Sequence, residues 1–310
     1  MISTLLFLAL AADYPEATIS NGAITAKLML PDPEKGSYRG TRFDWSGIIS
    51  SLTYSNHEYF GQWYPKHDPK IHDAITGPVE EFLSNDAGLG YADAKPGETF
   101  VRIGVGAVRK PDEKAYRRFE TYEIVDPGKR TMRRGRDWIE FGHQISAAGY
   151  GYDYRKTIRL NRTGFTIDHV LKNTGAKPVD TLVYNHNFFV IDHEVVGPDI
   201  VIRFAWTPQP DKPFQNGGEI IGQEIHYQKE LQPGETVAAD LGGFGSFDFN
   251  IENRKALAGV KITSDQPLTK LYFWSIRTVA CPEPYIHIAI PQKSSFKWSL
   301  RYDLYTFLRN

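Results

Sequence analysis

Apolar and polar residues alternate in short runs along most of the chain. The clearest alternation is near the C-terminus, where polar residues separate five apolar ones: Phe296, Trp298, Leu300, Tyr302 and Leu304. Side chains of a strand point alternately to its two faces, so one face of this strand is predicted to be buried and the other to face water. No long segment has the period of an amphipathic helix. The pattern therefore predicts an all-β chain of antiparallel strands.

Turn signals divide the chain into hairpins. Asn21-Gly22 separates two short apolar runs within residues 18–30, and this dipeptide is typical of a type I′ turn. Residues 47–60 repeat the pattern, with Ser55-Asn56-His57 as the turn. Turn signals recur along the whole chain without a linker or an internal repeat. Residues 13–310 are therefore predicted to form a single large β domain.

Composition and charge narrow the class of protein. The 310 residues include 36 Lys and Arg and 37 Asp and Glu, a net charge of -1 that argues against binding to nucleic acid or to an anionic membrane. The 17 Tyr, 18 Phe and 6 Trp suit β-sheets and surfaces that stack on sugar rings. Cys281 is the only cysteine, which excludes an intrachain disulfide and a cysteine-based zinc or iron–sulfur site.

The first residues are similar to a secretory signal. Residues 2–12 form an apolar run that ends in Ala9-Leu10-Ala11, which fits a small-residue cleavage site. No Lys or Arg precedes the run, and the alternative is a retained strand or leader. The run is too short to cross a bilayer. We expect residues 1–12 to be a signal peptide and the protein to be periplasmic or secreted; otherwise it is cytoplasmic.

Two charged clusters have an ordinary explanation and a functional one. Five basic residues between 129 and 136 fit a solvated hairpin, with contact to an anionic sugar as the alternative. Asp192, His193, Glu194 and Asp199 fit a solvated loop, with a divalent cation site as the alternative. Their spacing matches no known metal-binding loop, so no metal and no other cofactor is expected.

The first candidate for chemistry is His186. In a strand, alternation places it on one face with the aromatic neighbours Tyr184 and Phe188. A histidine among aromatic rings is more often a core residue than a catalyst. His186 is therefore a catalytic candidate only together with a second group.

The second candidate is Glu283, which lies between two prolines in Cys281-Pro282-Glu283-Pro284-Tyr285. Proline cannot donate to a strand ladder, so we expect the strand to break at this point. A carboxylate there, beside Tyr285 and near Trp274, is predicted to lie in an aromatic cleft, where desolvation raises its pKa towards that of a general base. The alternative is a solvated glutamate on a surface bulge.

Together the two segments resemble the galactose mutarotase (aldose 1-epimerase) family. Its members carry Asn-His followed by aromatic residues in a mid-chain strand, and Cys-x-Glu near the C-terminus. Here these motifs are Asn185-His186-Asn187-Phe188-Phe189 and Cys281-Pro282-Glu283. The resemblance covers most of the chain from about Ala17 onward. It implies an antiparallel β-supersandwich with a sugar cleft, and cofactor-free interconversion of the α and β anomers of an aldose.

The resemblance also implies roles for these residues. Glu283 corresponds to the general base that takes the proton of the anomeric hydroxyl. His186 corresponds to the general acid that protonates the ring oxygen, and we expect the two groups on opposite sides of the sugar. Asn185 belongs to the same motif, and Trp274 and Tyr285 are expected to line the ligand cleft and to stack on the sugar.

Other residues of the family's site have weaker counterparts. The nearest candidate for a second histidine is His72, and Asp248 is the stand-in for the substrate-binding aspartate. Arg42 and Arg277 are the candidates for an arginine that binds sugar hydroxyls. The family's Asp-His-x-Phe setting is missing here, so galactose and glucose are not implied as substrates.

Three functions remain open. The leading one is a mutarotase-like isomerase that acts on a small-molecule sugar or on the sugar end of a glycan. The alternative is a non-catalytic carbohydrate-binding protein on the same fold. Retention of Glu283 and His186 favours the enzyme, and the missing substrate-binding residues favour the binding protein. A polysaccharide lyase is third, because lyases often carry a helical domain that this sequence does not predict.

Overall fold

The computed structural model describes residues 14–243 and 245–308, so the predicted signal peptide lies outside the described residues. These residues contain 23 strands, numbered in chain order, and one 3-10 helix, Ile191–His193. The largest sheet has ten antiparallel strands, whose spatial order is β16 (Gly218–Ile221), β17 (Glu224–Tyr227), β14 (Ile200–Phe204), β19 (Asp248–Asn253), β20 (Ala258–Ser264), β23 (Ser295–Thr306), β12 (Gly164–Asn173), β11 (Tyr150–Leu160), β10 (Trp138–Ala147) and β9 (Lys129–Arg134).

A second large sheet has six antiparallel strands. Their spatial order is β15 (Gln209–Pro210), β18 (Val237–Gly242), β21 (Lys270–Ile276), β22 (Val279–Ile290), β13 (Val179–His186) and β5 (Val79–Leu83). Two smaller sheets contain β1 (Glu16–Ser20), β2 (Ile24–Met29), β3 (Ile48–Tyr54) and β4 (His57–Phe60), and β6 (Thr99–Arg102), β7 (Gly106–Arg109) and β8 (Ile124–Asp126). No helix of the described residues has the length and apolarity that a membrane span requires. The predicted all-β antiparallel class is confirmed.

The two large sheets share one hydrophobic core. Leu300 and Ile167 of the ten-stranded sheet and Val183 and Ile288 of the six-stranded sheet belong to the same cluster of buried side chains. Burying each such side chain contributes about 1.5–3 kcal/mol. The predicted alternation in β23 is confirmed at four of its five apolar positions, and Phe296 at the start of the strand is only half-buried. This core holds one face of the six-stranded sheet fixed and leaves its other face for the site.

The two N-terminal hairpins form, but their turns differ from the prediction. β1 ends at Ser20 and β2 begins at Ile24, and of the three residues between them Gly22 alone has a positive φ, so the turn at Asn21-Gly22 is not type I′. The two-residue turn lies instead between β3 and β4, where Ser55 and Asn56 have φ values of 50° and 65°. Positive φ at both central residues is the requirement of a type I′ turn.

The strand that contains Glu283 does not break, contrary to the prediction. β22 runs without interruption from Val279 to Ile290. The two prolines lie where β22 pairs only with β21, because its pairing with β13 ends at Tyr184–Tyr285. On that open side no ladder hydrogen bond is lost, and the Asn187 side chain donates to the carbonyl of Pro282 at 2.7 Å.

Candidate active site

Glu283 and His186 lie in direct contact. The distance from Glu283 Oε1 to His186 Nε2 is 3.1 Å, and each residue is 3% exposed. Tyr184 and Tyr285 are opposite each other in neighbouring antiparallel strands. His186 comes two residues after Tyr184 and Glu283 two residues before Tyr285, so alternation brings both side chains out of the same face, side by side. The expectation that they lie on opposite sides of a sugar is not met in this structure.

The same face of the six-stranded sheet supplies most of the site. Tyr272 and Trp274 of β21 lie opposite Glu283 and Cys281, and on the other side Glu81 of β5 lies opposite Tyr184. Residues directly opposite each other in a sheet share a face. One sheet face therefore presents the contacting pair of Glu283 and His186, a second buried carboxyl group, that of Glu81, and several aromatic rings.

A cavity of about 370 Å³ opens above this face. Five of the eight residues predicted from the sequence line it: Glu283, His186, Trp274, Tyr285 and His72. Arg42, the alternative arginine, also lines it. Phe188 of the Asn-His motif lines it too, with seven residues that no sequence pattern indicated: Trp63, Asp73, Arg118, Phe119, Asp240, Lys270 and Tyr272.

Asn185 does not face the cavity. As the neighbour of His186 in β13 it points to the opposite side of the sheet, where its Nδ2 donates to Glu80 Oε1 at 2.9 Å. Glu80 also forms an ion pair with Lys156, and both side chains are fully buried. Asn185 therefore belongs to a polar cluster between the two large sheets and does not line the cavity.

Asp248 and Arg277 also lie away from the cavity. Asp248 begins β19 in the ten-stranded sheet and pairs with Lys261 at 2.9 Å. Arg277 follows β21, where its Nη1 donates to the carbonyl of Leu231 at 2.8 Å. Neither residue lies in a motif of the resembling family, and their partners explain their positions as ordinary surface contacts.

The imidazole of His186 is enclosed by aromatic rings. It stacks on Phe188 with ring centres 3.7 Å apart, and the rings of Phe43 and Trp274 meet it edge-on at 5.6 and 5.8 Å. Its Nδ1 is buried and has no hydrogen-bond partner among the described residues. Burial and the nearby charges of Arg42 and Arg118 hold the pKa of His186 well below its ordinary value. The imidazole is therefore uncharged at neutral pH.

The carboxyl group of Glu283 is affected in the opposite direction. Burial raises its pKa to about 8, although Arg42 and Arg118 act to lower it. Between the two pKa values the pair carries a single proton, and this proton lies on Glu283 and not on His186. The environment thus favours the reverse of the proton placement that the family resemblance implies.

A second buried carboxylate, Glu81, organises the floor of the cavity. Its Oε2 accepts hydrogen bonds from Arg42 Nε at 2.8 Å, Arg118 Nη2 at 2.8 Å and the Tyr184 hydroxyl at 2.6 Å. Arg102 Nη2 lies 3.5 Å from Oε1. Burial alone would raise the pKa of Glu81, but Arg42 and Arg118 outweigh it and lower the pKa to about 2. Glu81 stays ionised and fixes the two arginines that line the cavity.

The sequence contained one signal for this arrangement. Val79-Glu80-Glu81-Phe82-Leu83 places two adjacent carboxylates inside an otherwise apolar strand, and all five residues are buried. Buried carboxylates require partners, so the strand indicates a polar site. No sequence pattern indicated Arg118, because it lies in the segment between β7 and β8. It contacts Glu81 only because the folded chain brings the two segments together.

The rim of the cavity carries both aromatic and charged groups. Phe119 is 59% exposed and its ring lies 4.7 Å from that of His72. Lys270 and Asp240 form an ion pair of 3.0 Å. Burial and the charge of Arg42, against the opposing effect of Asp73, lower the pKa of His72.

The acidic cluster at residues 192–199 is separate from this cavity. Asp192 pairs with His57 at 2.7 Å, and His193 pairs with Glu58 at 2.8 Å. Within residues 14–243 and 245–308, no group of three or more His, Cys, Asp or Glu side chains is arranged to hold a metal ion. The cluster therefore links β4 to the 3-10 helix.

The described fold is similar to several solved structures. One is a protein from Synechocystis sp. PCC 6803, with a TM-score of 0.61, 12% identity and coverage of 98% of this chain and 100% of that chain. A galactose mutarotase-like protein from Clostridium acetobutylicum has a TM-score of 0.59, 11% identity and coverage of 95% and 96%. The GalM/aldose epimerase homologue from C. elegans has a TM-score of 0.57, 11% identity and coverage of 96% and 100%.

No protein-family model matches the sequence. No curated protein is significantly similar to it either. At 11–12% identity the structural similarity shows the fold alone. The chain has the galactose mutarotase-like fold, and the predicted β-supersandwich and its resemblance to galactose mutarotase-like proteins are confirmed.

Proposed function

We propose that this protein is an isomerase that interconverts the α and β anomers of a sugar. The observation that carries the proposal is the contact between Glu283 and His186 beneath an aromatic cavity. Anomer interconversion needs one group that removes a proton and one that delivers a proton. The two groups have pKa values displaced in opposite directions, which is typical of acid–base pairs.

In the proposed reaction, the pair removes one proton from the sugar and delivers one proton to it during ring opening, and the reverse occurs during ring closure. In ring opening, the anomeric hydroxyl O1 loses its proton, the bond from C1 to the ring oxygen O5 breaks, and O5 gains a proton. The aldehyde then rotates about the C1–C2 bond, and the reverse exchange closes the ring. O1 and O5 are both bonded to C1, so two side chains in contact with each other match the two oxygens that exchange protons.

The position of the proton, on Glu283 or on His186, decides which residue starts as the general acid and which as the general base. With the proton on Glu283, this carboxyl group protonates O5 and His186 takes the proton from O1. The family resemblance implies the opposite roles, and both arrangements are forms of the same singly protonated pair. The pair suffices for the exchange, and no step uses a redox group.

The walls of the cavity suit a sugar ring. Trp274, Tyr285 and Trp63 offer aromatic faces and edges that pack against the apolar C–H groups of sugars, each contact contributing about 1 kcal/mol. His72 offers a polar atom for a sugar hydroxyl group. The proposed partner is a free small-molecule sugar or the sugar end of a glycan.

A non-catalytic carbohydrate-binding protein is the second candidate. The positions of Asp248 and Arg277 outside the cavity favour it, because they leave the substrate-binding set of the resembling family incomplete. The two candidates differ in one property. A binding protein holds sugar without changing the rate at which its anomers equilibrate.

Polarimetry on freshly dissolved α-sugars, over a panel of aldoses and uronic acids, tests the proposal. We expect the wild-type protein to accelerate equilibration, and Glu283→Gln to slow it by roughly 100-fold or more, the usual loss for one general acid or base. Glu140→Gln, in the surface pair with Arg133, is the matched control. A sugar that binds but equilibrates equally fast with the wild type and Glu283→Gln would establish the binding protein instead.

A further inference from the structure

We propose that the sugar bound in this cavity carries a negatively charged group, a carboxylate or a phosphate, that binds between Arg118 and Lys270. This inference rests on the proposed function, because it names the chemical class of the sugar bound at the same site. It is carried by an excess of fixed positive charge on one side of the cavity.

The excess of positive charge lies in the group of arginines around Glu81. Three guanidinium groups, those of Arg42, Arg102 and Arg118, surround this single carboxylate. Arg102 satisfies its remaining donors with the main-chain carbonyls of Thr41, Phe82, Ala87 and Arg42, which carry no countercharge. Two positive charges are thus left uncompensated within this group. Burying charge without a counterion is costly, so a bound anion would stabilise the arrangement.

Arg118 is the member of the group that is available to a ligand. Arg42 has an 8% exposed side chain and directs Nε, Nη1 and Nη2 to Glu81, His72 and Tyr184. Arg118 has a 31% exposed side chain and uses only Nε and Nη2 in its bonds to Glu81 and Tyr184. Its Nη1 takes no part in this ion pair, and Arg118 interacts further with the hydroxyl of Tyr285 in the cavity. A guanidinium edge of this kind suits carboxylate and phosphate oxygens.

Lys270 supplies a second cation near Arg118. Its Nζ lies 5.3 Å from the centre of the Tyr285 ring. The charge of Arg118 and a hydrogen bond from it act to lower the pKa of the same tyrosine, against the larger effect of burial. Both cations therefore line the cavity and interact with the same aromatic side chain. Lys270 is paired with Asp240 at 3.0 Å, but both side chains are nearly half exposed. Exposed pairs of this kind contribute little to stability, so a ligand anion can replace Asp240 as the partner.

The negative groups of the cavity do not cancel this excess. Glu283 holds its proton at neutral pH, and Asp240 is already paired with Lys270. Asp73 lies beside His72, with 3.9 Å between Oδ1 and Nε2. Since the pKa of His72 is lowered, His72 does not neutralise Asp73, which offsets one of the two positive charges and leaves one. Neutral sugar hydroxyls need hydrogen-bond partners but no counterion. The negative group of an anionic sugar, in contrast, would neutralise the excess positive charge on the side of the cavity near Tyr285.

The basic residues of β9 are not an alternative site for this group. They form the edge of the ten-stranded sheet, and Arg133 is 68% exposed and paired with Glu140 at 2.6 Å. Exposed cations on an edge strand protect it from pairing with other chains. Arg133 therefore offers a matched control for the removal of one arginine charge.

The experiment compares matched sugars that differ only in charge. Polarimetry gives kcat/KM for galactose, galacturonate and galactose 6-phosphate, and for the three corresponding glucose derivatives. We expect at least one anionic form to exceed its neutral parent by about tenfold or more, and added salt to reduce this ratio. Arg118→Gln and, as a second variant, Lys270→Gln are expected to lower the ratio by roughly tenfold, whereas Arg133→Gln leaves it unchanged.

The outcomes separate this inference from the proposed function. A preference for the uronic acid identifies a carboxylate, and a preference for the sugar phosphate identifies a phosphate. Neutral sugars that equilibrate as fast as both anionic forms overturn the inference and leave the isomerase intact. If no sugar is equilibrated, the isomerase fails, and tryptophan fluorescence titration of the same six sugars decides the inference. Tighter binding of an anionic sugar, lost in Arg118→Gln, supports it, and equal or undetectable binding overturns it.

Discussion

The main-chain N–H of Phe188 donates a hydrogen bond to the thiol sulfur of Cys281, 3.1 Å away. Phe188 has a φ of 42°, in the left-handed region that a bulky residue rarely adopts. Its ring lies between His186 and Trp63, with ring centres 3.7 and 4.9 Å away. Cys281 therefore stabilises a strained turn that places an aromatic ring against the imidazole, and this gives the cysteine of the Cys-x-Glu motif a structural role.

Replacing Cys281 by alanine is expected to reduce both stability and anomer equilibration. The substitution leaves the buried N–H of Phe188 without an acceptor, at a cost of about 1–3 kcal/mol. Cys281→Ser keeps an acceptor at the same position and should retain more of both properties. Urea unfolding and polarimetry measure the two effects. Equal stability of the alanine variant and the wild type would show that the thiol does not support the turn.

The rate of equilibration is expected to fall as the pH rises through about 8. Glu283 loses its proton in this range, and the pair then has no proton to deliver to the ring oxygen. On the acid side, the rate should fall only below the ordinary histidine range, since the pKa of His186 is lowered. The acid limb therefore belongs to His186 and the alkaline limb to Glu283. A rate that stays constant from pH 7 to 9 would contradict this assignment.

The free energy of unfolding should depend on pH because of the same carboxyl group, that of Glu283. The folded-state pKa of Glu283 lies above its ordinary value of 4.5, so the folded state binds its proton more tightly. This contribution is fully present below about 4.5 and is lost as the pH rises to about 8. Glu283→Gln has no such proton, so its stability relative to the wild type should increase across this window, by at most about 1.4 kcal/mol per pH unit.

Urea unfolding at several pH values measures this difference. The buried histidines His143 and His169 have lowered pKa values and give the opposite slope, but they are common to both proteins and cancel in the comparison. Glu140→Gln is the control, and its difference from the wild type should not change with pH. A constant difference for Glu283→Gln would show that the carboxyl group has an ordinary pKa.

Glu81→Gln is expected to destabilise the fold by about 3–5 kcal/mol. The substitution leaves Arg42, Arg102 and Arg118 without their common counterion in a buried environment. Glu140→Gln breaks a surface pair and should cost no more than about 1 kcal/mol. Denaturant unfolding of both variants makes the comparison. Similar losses for the two would mean that the buried ion pairs are not stabilising.

Sugar binding should change the fluorescence of Trp274. Trp274 and Trp63 line the cavity, whereas Trp138 lies in β10 beneath Arg159. Trp274→Phe should therefore remove a large part of the sugar-induced change, and Trp138→Phe should leave it intact. An unchanged signal in Trp274→Phe, from a sugar that still binds, would place the ligand elsewhere.

Alternation along strands was the most informative property of the sequence. It predicted the buried face of β23, and applied to β13 it also separates His186 from Asn185, which faces the opposite side. The prolines of β22 were misleading because a proline interrupts a ladder only on the side towards which its N–H would point. The sequence does not show that β13 leaves this side open at Pro282 and Pro284.

The arginines of the site were harder to predict. Arg118 lies 37 residues from Glu81 and 66 from Tyr184 along the chain, and no local pattern relates it to either residue. Arg42 and Arg277 were equal candidates because no motif in the sequence places the arginine that binds sugar hydroxyls. Only the three-dimensional path of the chain decides that Arg42 reaches the cavity and Arg277 reaches Leu231.

The contact between His186 and Glu283 has a consequence for how the site exchanges protons with water. A pair that accepts one proton and releases one in the same step keeps its net charge through ring opening and ring closure. In the proposed reaction, the cycle then needs no proton from bulk solvent and no buffer ion to enter the cavity. Neither the sugar nor its open-chain aldehyde has to be exposed to water for a proton to be replaced during a turnover.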